Sequence, residues 1–173
     1  MIIFGRMQIR PATLADVPEI MSLIAGVVPV MQAAGNFQWN NDYPNAAVFE
    51  DDIARQQLWV VVDENEIAGV VAITTDQSPE YANVGWDINE TAIVVHRLAV
   101  SINHQGKGIA ALMMHQAEVV ARERSISIMR IDTNSTNKVT RRLFPKLGYE
   151  FVGEIGLAFR PNLRFYCYEK FLR

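Results

Sequence analysis

Cysteine is nearly absent from this chain. Among 173 residues only Cys167 carries a thiol, so no internal disulfide can form, which suits a reducing, cytoplasmic compartment. Histidine is scarce too. His96, His104 and His115 stand at no ligand spacing and there is no cysteine pair, so no metal site is expected. Net charge is only −3, which gives no reason to expect nucleic acid as a partner. No uninterrupted apolar run reaches the roughly 18 residues of a membrane helix. The segment Met1 to Arg6 is too short for the apolar part of a signal peptide, and Met7 offers a second start. Repeats, low-complexity tracts and linkers are also missing. What is there is ordinary for a globular protein: 50% hydrophobic and 20% charged residues. The length suits a single domain, 1–173, with its own core.

One stretch organises the rest. Val94-Val95-His96-Arg97-Leu98-Ala99-Val100 reads as a strand. A short polar turn leads to Gln105-Gly106-Lys107-Gly108-Ile109-Ala110, then to a helical pattern with Ile109, Leu112, Met113, Ala117 and Val120 as its apolar stripe. A glycine turn opening a helix aims unpaired N–H groups outward at the positive end of the helix dipole. Gly106 and Gly108 carry no Cβ, so an anion can approach the main chain closely. The turn is therefore a candidate phosphate or pyrophosphate site. A period of two places Ala92, Val94, His96, Leu98 and Val100 on one strand face.

Before that stretch, Met7 to Arg10 reads as a strand stopped by Pro11. Thr13 and Asp16 start a helix carrying Val17, Ile20, Met21 and Ile24, with Gly26 and Pro29 marking its end or a kink. Gly35 to Tyr43 is an aromatic, aperiodic loop. Asn45 caps a helix with Val48, Phe49 and Ile53 as its apolar positions. Leu58 to Val62 and Ile67 to Thr75 form a hairpin, where Gly69 marks a bulge or a close backbone approach. Asp76 to Glu90 is irregular, and its acids either solvate or attract a cation. Ser127 to Asp132 is a strand, and Lys138 to about Phe144 a short helix. Tyr149 to Ile155 and Arg164 to Phe171 are the last strands, with Pro161-Asn162 between them. This order implies an α/β (α+β) fold, one domain with a mixed, mainly antiparallel sheet of about seven strands flanked by helices. Cys167, within Phe165-Tyr166-Cys167-Tyr168, reads as a small strand residue.

Gln105-x-x-Gly108-x-Ala110 after Leu98-x-Val100, then Ile131-Asp132-Thr133, Asn137 and Leu143-Phe144-x-Lys146-x-Gly148-Tyr149, together resemble the GNAT superfamily of acyl-CoA-dependent N-acetyltransferases. The resemblance implies acetyl-CoA as cosubstrate, its pyrophosphate cradled by Gln105, Gly106, Lys107, Gly108, Ile109 and Ala110. It assigns main-chain groups of Leu98 and Val100 to the pantetheine arm and acyl carbonyl, and a hydrogen bond to pantetheine from Asn137. It also implies that the loop after the first helix covers the acceptor, where Trp39 and Tyr43 either wall the site or anchor the loop. Phe144 stands where the family often has a tyrosine that protonates the leaving thiolate, and Tyr149 is a substitute only if it is not packed away.

The acceptor amine needs a base. His96 is the candidate by intrinsic pKa, with Glu90 the alternative. His104, beside the glycine turn, either touches a phosphate or is solvated. The implied activity is transfer of an acetyl group to an amine of a small molecule or protein in a ternary complex. The alternative is a non-catalytic acyl-CoA sensor or interaction module, favoured by Phe144. The aromatic last strand offers an edge on which a second copy can pair to form a homodimer.

Overall fold

The computed structural model describes residues 2–4 and 6–173, with side chains from Arg6 onward. Met1, the first candidate start, lies outside the described residues. The strands are β1 (Ile2–Phe4), β2 (Met7–Pro11), β3 (Leu58–Asp63), β4 (Glu66–Thr74), β5 (Ile93–Val100), β6 (Ile128–Asn134), β7 (Glu150–Leu157) and β8 (Arg160–Phe171). The helices are α1 (Val17–Ala33), α2 (Ala46–Ala54), α3 (Ile109–Glu123) and α4 (Lys138–Lys146). The eight strands form one sheet in the order β1-β2-β3-β4-β5-β6-β8-β7. Only β5 and β6 run parallel among the described pairs. The mixed, mainly antiparallel sheet with helices on its faces is the architecture expected.

The core lies on both faces of the sheet. Ile20, Ile24 and Val27 of α1 and Phe49 of α2 pack with Val60, Val70 and Ala72. Across the sheet, Ile109, Met113 and Ala117 of α3 and Phe144 of α4 pack with Val71, Ile73, Ile93 and Val95. β4, apolar from Ile67 to Ile73, is buried on both faces and sits at the centre of this sandwich. Gly69 explains how α3 comes so close: a Cβ there would lie 2.8 Å from Cγ2 of Ile109. The pairing also slips beside Gly69, between Val61 and Val62 of β3, so both readings of this glycine hold.

Local signals behave as their chemistry dictates. The side chain of Asn45 accepts from the N–H of Val48 at 3.1 Å and opens α2. Asp16 accepts from the N–H of Thr13 at 2.7 Å. The Arg10 guanidinium also holds Asp16, and its two hydrogen bonds bring that carboxyl down to about 2.

Several expectations are corrected. α1 runs through both Gly26 and Pro29 to Ala33, because packing on the sheet outweighs their helix-breaking tendency. With the turn before it, Leu14–Ala33 spans 20 residues at mean hydropathy 1.6, long and apolar enough to cross a membrane by length and composition. Interruptions at Asp16 and Glu19 hide this from a search for unbroken runs; here one face of the helix is buried on the sheet. The last turn falls at Ala158 and Phe159, and Pro161 and Asn162 lie within β8. β8 is paired on both sides, by β6 and β7, so the edge expected for pairing a second copy is not free.

Candidate active site

β5 and β6 pair from Ile93 and Met129 as far as Val95 and Ile131 and no further. From His96 onward they separate, and the wedge between them becomes the floor of a cleft of about 1350 Å³. Its walls come from the end of α1, the loop after it, the turn at Asp76–Ser78, the start of α3 and one face of α4. Parting strands leave main-chain groups of β5 without a neighbouring strand on that side.

β5 also carries a bulge. His96 pairs with Ala72 and Ala99 with Val70, so Arg97 and Leu98 together oppose Val71. Arg97 takes φ +52, a left-handed conformation that costs a non-glycine residue about 1–2 kcal/mol. The side chain secures it. Nε and an Nη of Arg97 donate to the two oxygens of buried Asp52 on α2 at 2.6 and 2.7 Å, and its other Nη donates to the Tyr43 hydroxyl at 3.2 Å. The bulge corrects the simple alternation. Ile93 and Val95 face the α3 side and so do Leu98 and Val100, while Val94 faces the other side. His96 therefore does not share a face with Leu98.

The glycine turn reaches the cleft at its other end. Gly106 and Gly108 have φ +78 and +80, and nothing lies within 4 Å of where their Cβ atoms would be. Gly108 precedes α3, whose first intrahelical bond runs from the N–H of Leu112 to the carbonyl of Gly108 at 3.0 Å. The N–H groups of Ile109, Ala110 and Ala111 therefore have no acceptor within the helix. Lys138 and Lys146 of α4 line the same cleft. This open, electropositive cradle fits a phosphate or pyrophosphate.

The expected residues fall as follows. Leu98, Val100, Gln105, Gly106, Gly108, Ile109, Ala110, Asn137 and Phe144 all line the cleft, as do His96, Trp39 and Tyr43. The Asn137 side chain also caps α4, accepting from the N–H of Thr140 at 3.2 Å. Phe144 is almost fully buried and meets Tyr168 edge-on at 5.4 Å. Lys107 is not among the lining residues; its ammonium lies 3.9 Å from Asp63. Glu90, the alternative base, is not among the lining residues either; its carboxylate lies 3.6 Å from Arg130. His104 is buried beside Asp63 rather than solvated. Tyr149 is turned away, donating to Glu118 at 3.4 Å, and burial pushes its hydroxyl pKa up. Trp39 is buried among the α1 residues, while Tyr43 is half-buried and holds Arg97.

Sequence reasoning missed Asp132 and Tyr81 as site residues. The Tyr81 hydroxyl donates to Asp132 at 2.5 Å, and both line the cleft. The available signal was an acid ending the apolar strand Ile128–Ile131. The bridging of the acceptor loop was missed too. The Thr136 hydroxyl donates to the Gly35 carbonyl at 3.2 Å, and Arg160 donates to the Gln38 carbonyl at 2.9 Å, tying that loop across to the turn after β6 and to β8.

A family model for the acetyltransferase (GNAT) family matches residues 28–149. The chain belongs to the GNAT family of acetyltransferases. It is therefore an acyltransferase of the N-acetyltransferase type. An uncharacterized N-acetyltransferase of Bacillus subtilis, YesJ, is 26% identical over 147 residues, 83% of this chain and 81% of that protein. A GNAT family acetyltransferase from Streptococcus agalactiae superposes with TM-score 0.83 at 26% identity, covering 99% of this chain and 98% of the other. A putative acetyltransferase from Salmonella typhimurium, yncA, solved with its cofactor acetyl-CoA, shares the GNAT fold at TM-score 0.68 and 20% identity, with coverage of 98% and 95%.

Proposed function

We propose that this GNAT protein moves an acetyl group from acetyl-CoA to an amine by direct attack in a ternary complex. The observation that carries the reading is one continuous cleft. It joins an open main-chain anion cradle at Gly106–Ala110 to a wedge of unpaired strand edge on β5. When bound, acetyl-CoA supplies an activated thioester carbonyl. The cradle grips the pyrophosphate, helped by Lys138 and Lys146, while Asn137 and the main chain of Leu98 and Val100 hold the pantetheine arm. One N–H aimed at the developing oxyanion contributes about 3 kcal/mol.

His96 is the proposed base. Its Nε2 lies 3.1 Å from the Asp76 carbonyl, which can only accept, so Nε2 carries the proton and Nδ1 keeps a lone pair for the amine. No side-chain acid is required for thiol release, because an alkyl thiol has a pKa of about 8.5 and leaves readily near neutral pH. Phe144 then serves as an apolar wall.

One observation favours a second reading, a binding module without turnover: Phe144 has no hydroxyl and Tyr149 turns its own away. Calorimetric titration with acetyl-CoA, followed by a free-thiol assay over an amine panel, separates the two. Binding at micromolar strength with thiol release supports the enzyme; binding with no release supports the module. Ala110→Glu is the control variant. It sets a carboxylate in the cradle, and an acid in a first helical turn does not weaken the helix, so lost binding reports on the site rather than on folding. A folded, unaltered protein that binds no acetyl-CoA overturns both readings.

A further inference from the structure

The acceptor end of the cleft has an electrostatic character of its own. Asp132 follows the last paired residues of β5 and β6, at the apex of the wedge. Its Oδ2 accepts the Tyr81 hydroxyl at 2.5 Å. Among the described residues no cation forms an ion pair with it. The two nearby guanidinium groups are committed elsewhere. Arg130 donates to Glu169 at 2.9 Å, to Gln77 at 2.6 Å and to the Asp87 carbonyl at 3.0 Å. Arg97 is neutralised by Asp52. Asp76 also lines the cleft, but its carboxylate is paired with Arg55 at 3.3 Å; the lysines of the cleft, Lys138 and Lys146, stand on α4.

We infer that Asp132, held by Tyr81, receives the ammonium group of the acceptor, and that the acceptor is a cationic alkylamine rather than a neutral or carboxylate-bearing one. This rests on the acetyltransferase reading above. A carboxylate at the end of the wedge, with one neutral donor and no cation in ion-pair contact, is completed by a small cation with several N–H donors. The surroundings leave room for that charge. Burial raises the Asp132 carboxyl above its usual range, opposed by nearby His96 and by the Tyr81 hydrogen bond. The titratable groups facing it are His96 from β5, Tyr81 from the 79–84 turn and Cys167 from β8. Burial pushes the Cys167 thiol up to about 12 and Tyr81 well above its ordinary value, so neither adds negative charge at neutral pH. An ammonium against Asp132 offsets the cost of ionising it. His96 then takes the proton from an amine already placed.

The test is steady-state kinetics with n-butylamine, aniline and glycine as acceptors, on the full chain and on Asp132→Asn and Tyr81→Phe. Asparagine keeps the shape and removes the charge. The expected result is a kcat/KM for n-butylamine at least about 100-fold above those for aniline and glycine. Asp132→Asn raises the n-butylamine KM at least about 30-fold, with the acetyl-CoA Kd, read by calorimetry, within about twofold and a smaller loss of preference for n-butylamine over aniline in Tyr81→Phe. A merely structural role would move acetyl-CoA binding and all three acceptors together. The inference is overturned if aniline or glycine is preferred, or if Asp132→Asn keeps the n-butylamine KM. Acetyl-CoA binding with no thiol release on any amine overturns the acetyltransferase reading, and this assignment with it.

Discussion

Gly106 to Ala110 present main-chain N–H groups from a single turn, whereas Tyr81, His96, Arg97 and Asp132 reach the opposite end of the cleft from three separate stretches of chain. The first end is one local device. Its function depends on two left-handed glycines and the start of a helix, and little on which side chains surround them. The second end is a tertiary assembly. The side chain of left-handed Arg97 is held by Asp52, 45 residues earlier, which supplies both carboxylate oxygens. A grip on a constant part of a cosubstrate can be local, while recognition of a variable acceptor is spread over loops that can change independently.

Substitutions can break this contrast, and the largest effect belongs to Asp52→Ala. It strands a mostly buried guanidinium, a change that costs about 3–5 kcal/mol, measured by denaturant unfolding. At a temperature where the variant is folded, acetyl-CoA affinity should stay within about threefold; a parallel collapse of both would show the two ends to be one unit. Gly108→Ala comes next. It places a Cβ in the left-handed region at φ +80; the free turn relaxes away from that conformation and acetyl-CoA must restore it, so affinity should fall about 10-fold by calorimetry, equivalent to the 1–2 kcal/mol of such strain. Tyr43→Phe removes one donor–acceptor pair from Arg97 and should cost about 1 kcal/mol in acceptor kcat/KM with the acetyl-CoA Kd unmoved. The smallest change sharpens the contrast. Lys107 sits in the middle of the glycine turn but points to Asp63 at 3.9 Å, so Lys107→Ala should weaken acetyl-CoA binding less than about threefold. A tenfold loss would mean that the cradle uses a side-chain cation after all.

The same contrast explains what was legible in the sequence. Periodicity gave α3 and the hairpin of β3 and β4, because one buried face imposes one period. The cradle was legible because glycine, helix start and preceding strand all lie within about twenty residues of chain. Asp132 was visible as a residue but not as a site, since its meaning comes from Tyr81, 51 residues away, and from the point where two strands part. The burial of His104 and the pairing of Glu90 with Arg130 depend likewise on partners distant in sequence. The bulge at Arg97 was invisible for another reason. Its residues, Val95 to Val100, fit a regular strand by composition, and only the register with β4 and the left-handed φ of Arg97 reveal the break.

That bulge makes β5 a strand of two parities. Before Arg97 the odd positions Ile93 and Val95 serve the α3 face, and after it the even positions Leu98 and Val100 do. One extra residue thus shifts the phase of the strand midway along its length. A chimera that replaces β5 with a regular strand of seven residues would keep each half of the core yet rotate neither into conflict, and only the outward turn at Arg97 would vanish. An eight-residue strand without the bulge would instead send Leu98 and Val100 to the wrong layer. For anyone grafting acceptor loops onto this scaffold, phase is the quantity to conserve, ahead of residue identity.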